Sequence, residues 1–282
     1  MGKIIKDGVR DGTVISLAVA SQKGGVGKTT VAVNLAYAFA KRGWSTVLVD
    51  TDPQGSVGLS LSERARRSRG FFDCMEEGIS VDECVLATRL PELQILVAGR
   101  SADPFVRKAS ELQGTVPDVV ASLGQRGHDL AIIDTAAGLT GYTADVLRAS
   151  DFVLVPQQAE PLGLRSVPQM LKAVQAIRNE GHHLEMAGIL LTMVQSDVED
   201  SANVVRELRQ IVPPQLMLHA AIPRDSIFLR ASAVGVPLGL LFQNPPAPAI
   251  IFDQVAAELE SRIELHSESP LPAQDDHTRL MD

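Results

Sequence analysis

Residues 21–30, SQKGGVGKTT, follow a continuously apolar run (VISLAVA, 14–20) and lead into a helical pattern over 29–42 that stops at Gly43. Strand, glycine-rich loop and helix in that order predict a phosphate-binding loop, whose usual form is G-x-x-x-x-G-K-[ST]. Gly27, Lys28 and Thr29 supply the end of that pattern, and Thr30 extends it. Gln22 occupies the first glycine position, and an additional lysine, Lys23, precedes the expected one. Gly24, Gly25 and Gly27, with Val26 among them, let the backbone approach phosphate oxygens with its N–H groups turned inward. Lys28 is placed to reach the β- and γ-phosphates, and Thr29 to put its hydroxyl on Mg2+. The positive end of the helix dipole reinforces both.

Such a loop belongs on a parallel sheet, and the rest of the chain supplies the strands. Apolar runs recur at STVLVD (45–50), LQILVAG (93–99), LAIIDT (130–135), FVLVPQ (152–157), MAGILLTM (186–193) and HAAIP (219–223). Helical patterns lie at 142–149, 165–180, 202–211 and 247–263. Most runs are apolar throughout rather than alternating, as in strands buried on both faces. Hydrophobic residues make up 45% of the chain but aromatics only 4%, so the core is built from small aliphatic side chains that suit this packing. The prediction is an α/β fold, a single doubly wound, mostly parallel sheet with helices on both faces. Ligands then bind at the carboxyl ends of the strands. Residues 13–263 form that domain, preceded by a flexible extension over 1–12. Residues 264–282, polar, acidic and Pro-containing, read as a disordered tail.

A phosphate loop also needs carboxylates to organise magnesium and water. VDTDPQG (49–55) and IIDTAAG (132–138) place them at predicted strand ends. Asp134 closes a buried strand, the usual position of the carboxylate that holds magnesium, often through water. Asp50 and Asp52 are two residues apart, so on a strand they face one side. A carboxylate there could orient the attacking water as the strand opens into its loop.

Taken together, K-G-G-V-G-K-T-T, V-D-T-D-P-Q-G, I-I-D-T and LVPQQAEPLGLRSV (154–167) resemble the ParA/MinD family of partition and positioning ATPases, its ParA (Soj-like) members above all. GILLTM (188–193) and AIPRDSIFLRAS (221–232) match that family in the same order. The resemblance implies a slow, Mg2+-dependent ATPase that forms an ATP-sandwich homodimer and is stimulated by a ParB-like or other adaptor. It implies that Lys23 reaches the partner subunit's ATP phosphates, a charge supplied in trans like an arginine finger. By the same resemblance Asp52 joins Lys23 and Lys28 as the catalytic set, while Thr29, Asp50 and Asp134 organise the metal and its water shell. Thr192, Met193, Pro223, Arg224 and Asp225 fall where the family encloses adenine.

Departures from the family bear on partners. Members that ride on the nucleoid carry arginines where this chain has Asp197 and Ile227, and QSDVEDSAN (195–203) is acidic, which repels phosphate backbones. The net charge of −8 argues against a constitutively basic nucleic-acid binder. Arg64, Arg66, Arg67 and Arg69 form a cluster that reads either as a solvated face or as a contact for DNA or another acidic partner. Arg206, Arg209, Arg224 and Arg230 are scattered through the last third. Weak, ATP-dependent, salt-sensitive DNA binding by the dimer is the expectation. Cys74 and Cys84 have neither metal-site nor disulfide-framework spacing. The acidic tail offers no basic amphipathic helix for membrane cycling, and no N-K-x-D sequence is present to read guanine. With no signal-peptide core and no segment of membrane length, a cytoplasmic protein is expected, nucleoid-associated when ATP-bound. The alternative is a nucleotide-gated scaffold that positions a protein assembly with negligible turnover or without the nucleoid.

Overall fold

The computed structural model describes residues 13–61, 65, 67–100, 115–160, 166–263 and 265. The expected extension 1–12, the tail 264–282 apart from Leu265, and Arg64 and Arg66 lie outside the described residues. Eight strands form one sheet: β1 Ile15–Val19, β2 Thr46–Asp50, β3 Leu86–Ala87, β4 Leu93–Leu96, β5 Leu130–Asp134, β6 Phe152–Gln158, β7 Glu185–Val194 and β8 Met217–Pro223. Their order is β3-β4-β2-β5-β1-β6-β7-β8. All neighbours are parallel except β3 and β4. The helices are α1 Lys28–Lys41, α2 Ser56–Leu61, α3 Phe71–Glu77, α4 Val81–Cys84, α5 Val116–Gln125, α6 Tyr142–Ala149, α7 Ser166–Asn179, α8 Glu199–Ile211, α9 Ile227–Val234 and α10 Ala247–Arg262. Among the described residues no helix is long and apolar enough to cross a membrane.

The continuous apolar runs have the expected cause. Successive strand residues point to opposite faces, and each face is covered. Ile15, Leu17 and Val19 of β1 enter one core with α1 and α10, while Ala18 enters the other with α3, α5, α6, α7 and α8. β1, β2 and β5 are consequently buried at every position. A side chain such as Leu17 or Ile132, fully buried, contributes about 1.5–3 kcal/mol.

Differences from the sequence reading are local. β3, two residues long, is too short to show a period, and α4 has only four. The apolar run over 93–99 leaves the sheet after Leu96. There the carbonyls of Val97 and Ala98 accept from the amides of Phe71 and Phe72 at 2.8 and 2.9 Å, so they join α3 instead of a strand ladder. α8 starts at Glu199 rather than 202, with Glu199 and Asp200 in the first turn where the helix dipole favours them. α2, α3, α4, α5 and α9 lie outside the helical patterns read from the sequence. For α5 the signal was present, because Thr115 and Asp118 form a capping box around Pro117.

Candidate nucleotide site

Strand register brings the three segments of the site together. Val19 at the end of β1 pairs with Asp134 at the end of β5, and Asp134 pairs with Asp50 at the end of β2. The phosphate loop leaves β1 at this place and enters α1 at Lys28. Gly25 and Gly27 hold φ of +74° and +89°, the left-handed region that favours glycine. Gly24 packs close to Ala137 of the segment after β5, and the Gly138 amide donates to the Ser21 carbonyl at 3.1 Å. The segment after Asp134 is thereby tied to the loop.

Lys28 is 8% exposed, and burial lowers its pKa against the opposing pull of Asp134 and Asp52. Lys23 is half-buried and makes no ion pair among the described residues. The two lysines of one loop therefore occupy different environments. Thr29 and Thr30 are half-buried in the first turn of α1.

Asp134 is wholly buried, and among the described residues neither carboxylate oxygen has a well-formed hydrogen bond. Burial, followed by the neighbouring Asp50 carboxylate, pushes its pKa up to about 8, with Thr29 and Lys28 opposing. Asp50, also wholly buried, is raised to about 7 by burial, moderated by amides that donate to it from Asp52 at 3.1 Å and Val57 at 3.0 Å. Asp52 does not share a strand face with Asp50, because β2 ends at Asp50 and the chain turns. It is half-buried in that turn, where its Oδ1 accepts from the Gln54 amide at 2.9 Å.

An orphaned buried carboxylate beside a threonine hydroxyl and a second carboxylate suits Mg2+. That ion keeps several waters and uses one or two carboxylates together with phosphate oxygens. Among the described residues no three His, Cys, Asp or Glu side chains gather to hold a metal by themselves. The residues thus fit a metal that arrives with phosphate and water, and not an all-protein cage.

The exits of β7 and β8 complete the surroundings. Met193 stands at φ +53°, and its Cε lies 3.9 Å from where a Cβ on Gly27 would be. Arg224 approaches Met193 Sδ at 3.8 Å and Glu160 at 3.6 Å. Pro223 pairs with Val194 across β7 and β8. Asp225 uses Oδ1 to accept from the Ile227 amide at 2.9 Å, at the start of α9. Thr192 is buried, and its hydroxyl donates to the Val26 carbonyl at 2.9 Å. Met193 therefore meets the loop directly, while Arg224 and Asp225 are exposed at its margin.

Sequence reasoning missed two residues here, Thr51 and Thr135. The Thr51 hydroxyl donates to the Asp134 carbonyl at 2.7 Å, and the Thr135 hydroxyl to the Val19 carbonyl at 3.0 Å. The available signal was the D-T pair that closes both strands, at 50–51 and 134–135.

Of the basic residues, Arg206 and Arg209 are exposed on α8, and Arg230 lies over the Phe242 ring at 5.1 Å. Asp197 is exposed just before α8, and Ile227 is half-buried at the start of α9. Arg69 stands 3.9 Å from Glu83, and the Arg67 carbonyl accepts from Arg100 Nε at 2.6 Å.

A family profile described as "AAA domain" matches residues 13–186. The chromosome partitioning protein ParA of Caulobacter vibrioides is 31% identical over 253 residues, covering 87% of this chain and 94% of that protein. Among solved structures, apo McdA of Cyanothece superposes with a TM-score of 0.73 at 19% identity, over 87% of this chain and 99% of that one. The septum site-determining protein MinD of Pyrococcus horikoshii, complexed with Mg-ADP, gives a TM-score of 0.69 at 21% identity, over 91% and 100%.

Proposed function

The chain belongs to the ParA/MinD family of ATPases, and from that premise we propose that it is a Mg2+-dependent ATPase and an ATP-dependent dimerising switch that segregates or positions DNA or another intracellular cargo. The observation that carries this reading is the meeting of Lys28, Asp50 and Asp134 beneath the phosphate loop, all buried and imperfectly balanced. Bound Mg2+ would neutralise charge that develops on the transferred phosphoryl group. The amides of Gly24, Gly25 and Gly27 bind phosphate oxygens, and Lys28 supplies a buried ammonium. Thr29, Asp50 and Asp134 hold the metal and its water shell. Asp52, free of the strand and in contact with solvent, orients the attacking water.

Lys23, half-buried and without an ion pair among the described residues, reaches the phosphates of a second subunit. Dimerisation then waits on the γ-phosphate, because without it ammonium groups would meet unneutralised. Met193, Pro223, Arg224 and Asp225 border the adenine side. A ParB-like or other adaptor stimulates turnover, and the protein works in the cytoplasm. Contact with the nucleoid is confined to the ATP dimer and is weak, since Asp197, Glu199 and Asp200 offset Arg206 and Arg209.

Light scattering tests the switch, with a monomer expected in ADP and a dimer in a nonhydrolysable ATP analogue. The same mass in both would sink it. Lys28→Ala is expected to lose nucleotide affinity, whereas Lys23→Ala keeps binding and stays monomeric.

A further inference from the structure

Thr192 lies near the end of β7, two strands away from β1, yet its hydroxyl donates to the carbonyl of Val26 in the middle of the phosphate loop. Thr192 is 2% exposed and Val26 1%, so solvent does not compete for that carbonyl. The peptide between Val26 and Gly27 is trans. In a planar trans peptide the C=O and N–H point in opposite directions. A carbonyl drawn back toward β7 therefore turns the Gly27 amide the other way, away from β7. That amide has no acceptor among the described residues.

Gly27 makes the anchor necessary. A peptide plane flips by rotation about ψ of the preceding residue and φ of the following one, and glycine accepts either sign of φ with little penalty. Left to itself this plane could turn its carbonyl toward the phosphates, which repels them. The same device recurs at the two other strand exits of the site, where Thr51 and Thr135 donate to the Asp134 and Val19 carbonyls. Those two hold strand ends, whereas Thr192 holds the loop itself. Met193, packed over Gly27, lies beside the same peptide.

We propose that Thr192 is a positioning residue for phosphate binding, which fixes the Val26 carbonyl and so keeps the Gly27 N–H aimed at the nucleotide. The inference rests on the ATPase reading above and gives the Thr192 side chain a task in the loop rather than against the base. Thr192→Val keeps the shape and removes the donor, and Thr192→Ser keeps the donor. Calorimetric titration of each with ATP, ADP and AMP in the presence of Mg2+ separates the possibilities.

Loss of one hydrogen bond of ordinary net strength predicts about five- to tenfold weaker ATP and ADP binding by Thr192→Val. AMP, which lacks the β-phosphate, should bind as before, and Thr192→Ser should restore the wild-type order. Equal weakening for all three nucleotides would overturn the inference, as would unchanged ADP affinity in Thr192→Val or a serine variant that fails to rescue. Wild-type protein that binds neither ATP nor ADP would overturn the ATPase reading itself. That result is distinct from a wild type and a valine variant that bind both equally, which would remove only the role of Thr192.

Discussion

The two ends of the central sheet carry aspartates in similar sequence settings and treat them in opposite ways. At the amino end Asp151 accepts from both the amide and the hydroxyl of Ser16, at 2.9 and 2.8 Å, and its own amide donates back to that hydroxyl at 2.9 Å. Asp129 accepts from the Ser45 amide at 2.9 Å. At the carboxyl end Asp134 is fully buried with both oxygens lacking a well-formed partner among the described residues, and Asp50 lies beside it. A carboxylate with its partners in place ties strands together. One buried without them destabilises the ligand-free fold and awaits a partner from outside. The contrast separates structure from function within a single sheet, and mutations at either end can test it.

The largest effect belongs to Asp52. Asp52→Ala should lower turnover about 10²–10⁴-fold while ATP still binds and dimers persist, since phosphate contacts remain. Phosphate release measured beside equilibrium binding checks this, and undiminished turnover would move the chemistry to another residue.

Next comes Asp134. Its pKa of about 8 and that of Asp50, about 7, stand above the unfolded value of 3.8. The native state thus retains protons that the unfolded chain releases. Stability from this source is complete below about pH 4 and is lost as pH rises through 7 and 8. Asp134→Asn should therefore raise ligand-free stability at pH 8 by an amount on the order of a few kcal/mol, and the melting midpoint with it. The same variant should lose the extra stabilisation that Mg2+ adds to ATP. A variant that melts earlier than wild type at pH 8 would end the comparison as drawn.

His128 sharpens it from the other end. Burial, with the Arg126 charge adding, lowers its pKa from 6.5 to about 4, and its Nε2 has no hydrogen-bond partner among the described residues. Here the unfolded chain takes up the proton first, so stability is complete above pH 6.5 and is lost as pH falls toward 4. His128→Asn should flatten this acid limb by about 2–3 kcal/mol and leave the alkaline slope set by Asp134 in place. Thermal melts from pH 4 to 8 of the two single variants would show whether the opposing slopes are separable.

The smallest effect is at Asp151. Asp151→Ala strands the Ser16 amide and hydroxyl and should lower stability by about 1–3 kcal/mol. Nucleotide affinity should change less than about twofold, because the site lies at the far end of the strands. Chemical denaturation and titration calorimetry together test this, and a large loss of affinity would mean that the two ends are coupled.

Much of the site was legible in one dimension. The phosphate loop announces itself because glycine, lysine and threonine are needed at fixed spacing, and Asp134 because a charge that closes an apolar run has few structural uses. The partnership of Asp50 with Asp134 was less legible. The two belong to separate strands, and only the placement of β5 between β1 and β2 makes them neighbours. Thr192 was legible as a polar residue near the end of an apolar run but not as the partner of the Val26 carbonyl, since that contact joins residues 166 apart in the chain.

What the sequence by itself determined is the layering and the loop. Aliphatic runs without alternation require strands covered on both faces, and the glycines with Lys28 and Thr29 require a phosphate-shaped turn at the end of the first strand. Tertiary structure decided which polar groups at the strand ends find partners and which are left wanting. Asp134 and Asp151 both flank apolar runs, and their chemical identity is the same. Ser16 reaches Asp151, and among the described residues no comparable donor reaches Asp134. Hydrogen-bond satisfaction is a property of neighbours in space, fixed only when the strands have taken their order, and it makes one aspartate a latch and leaves the other ready to bind.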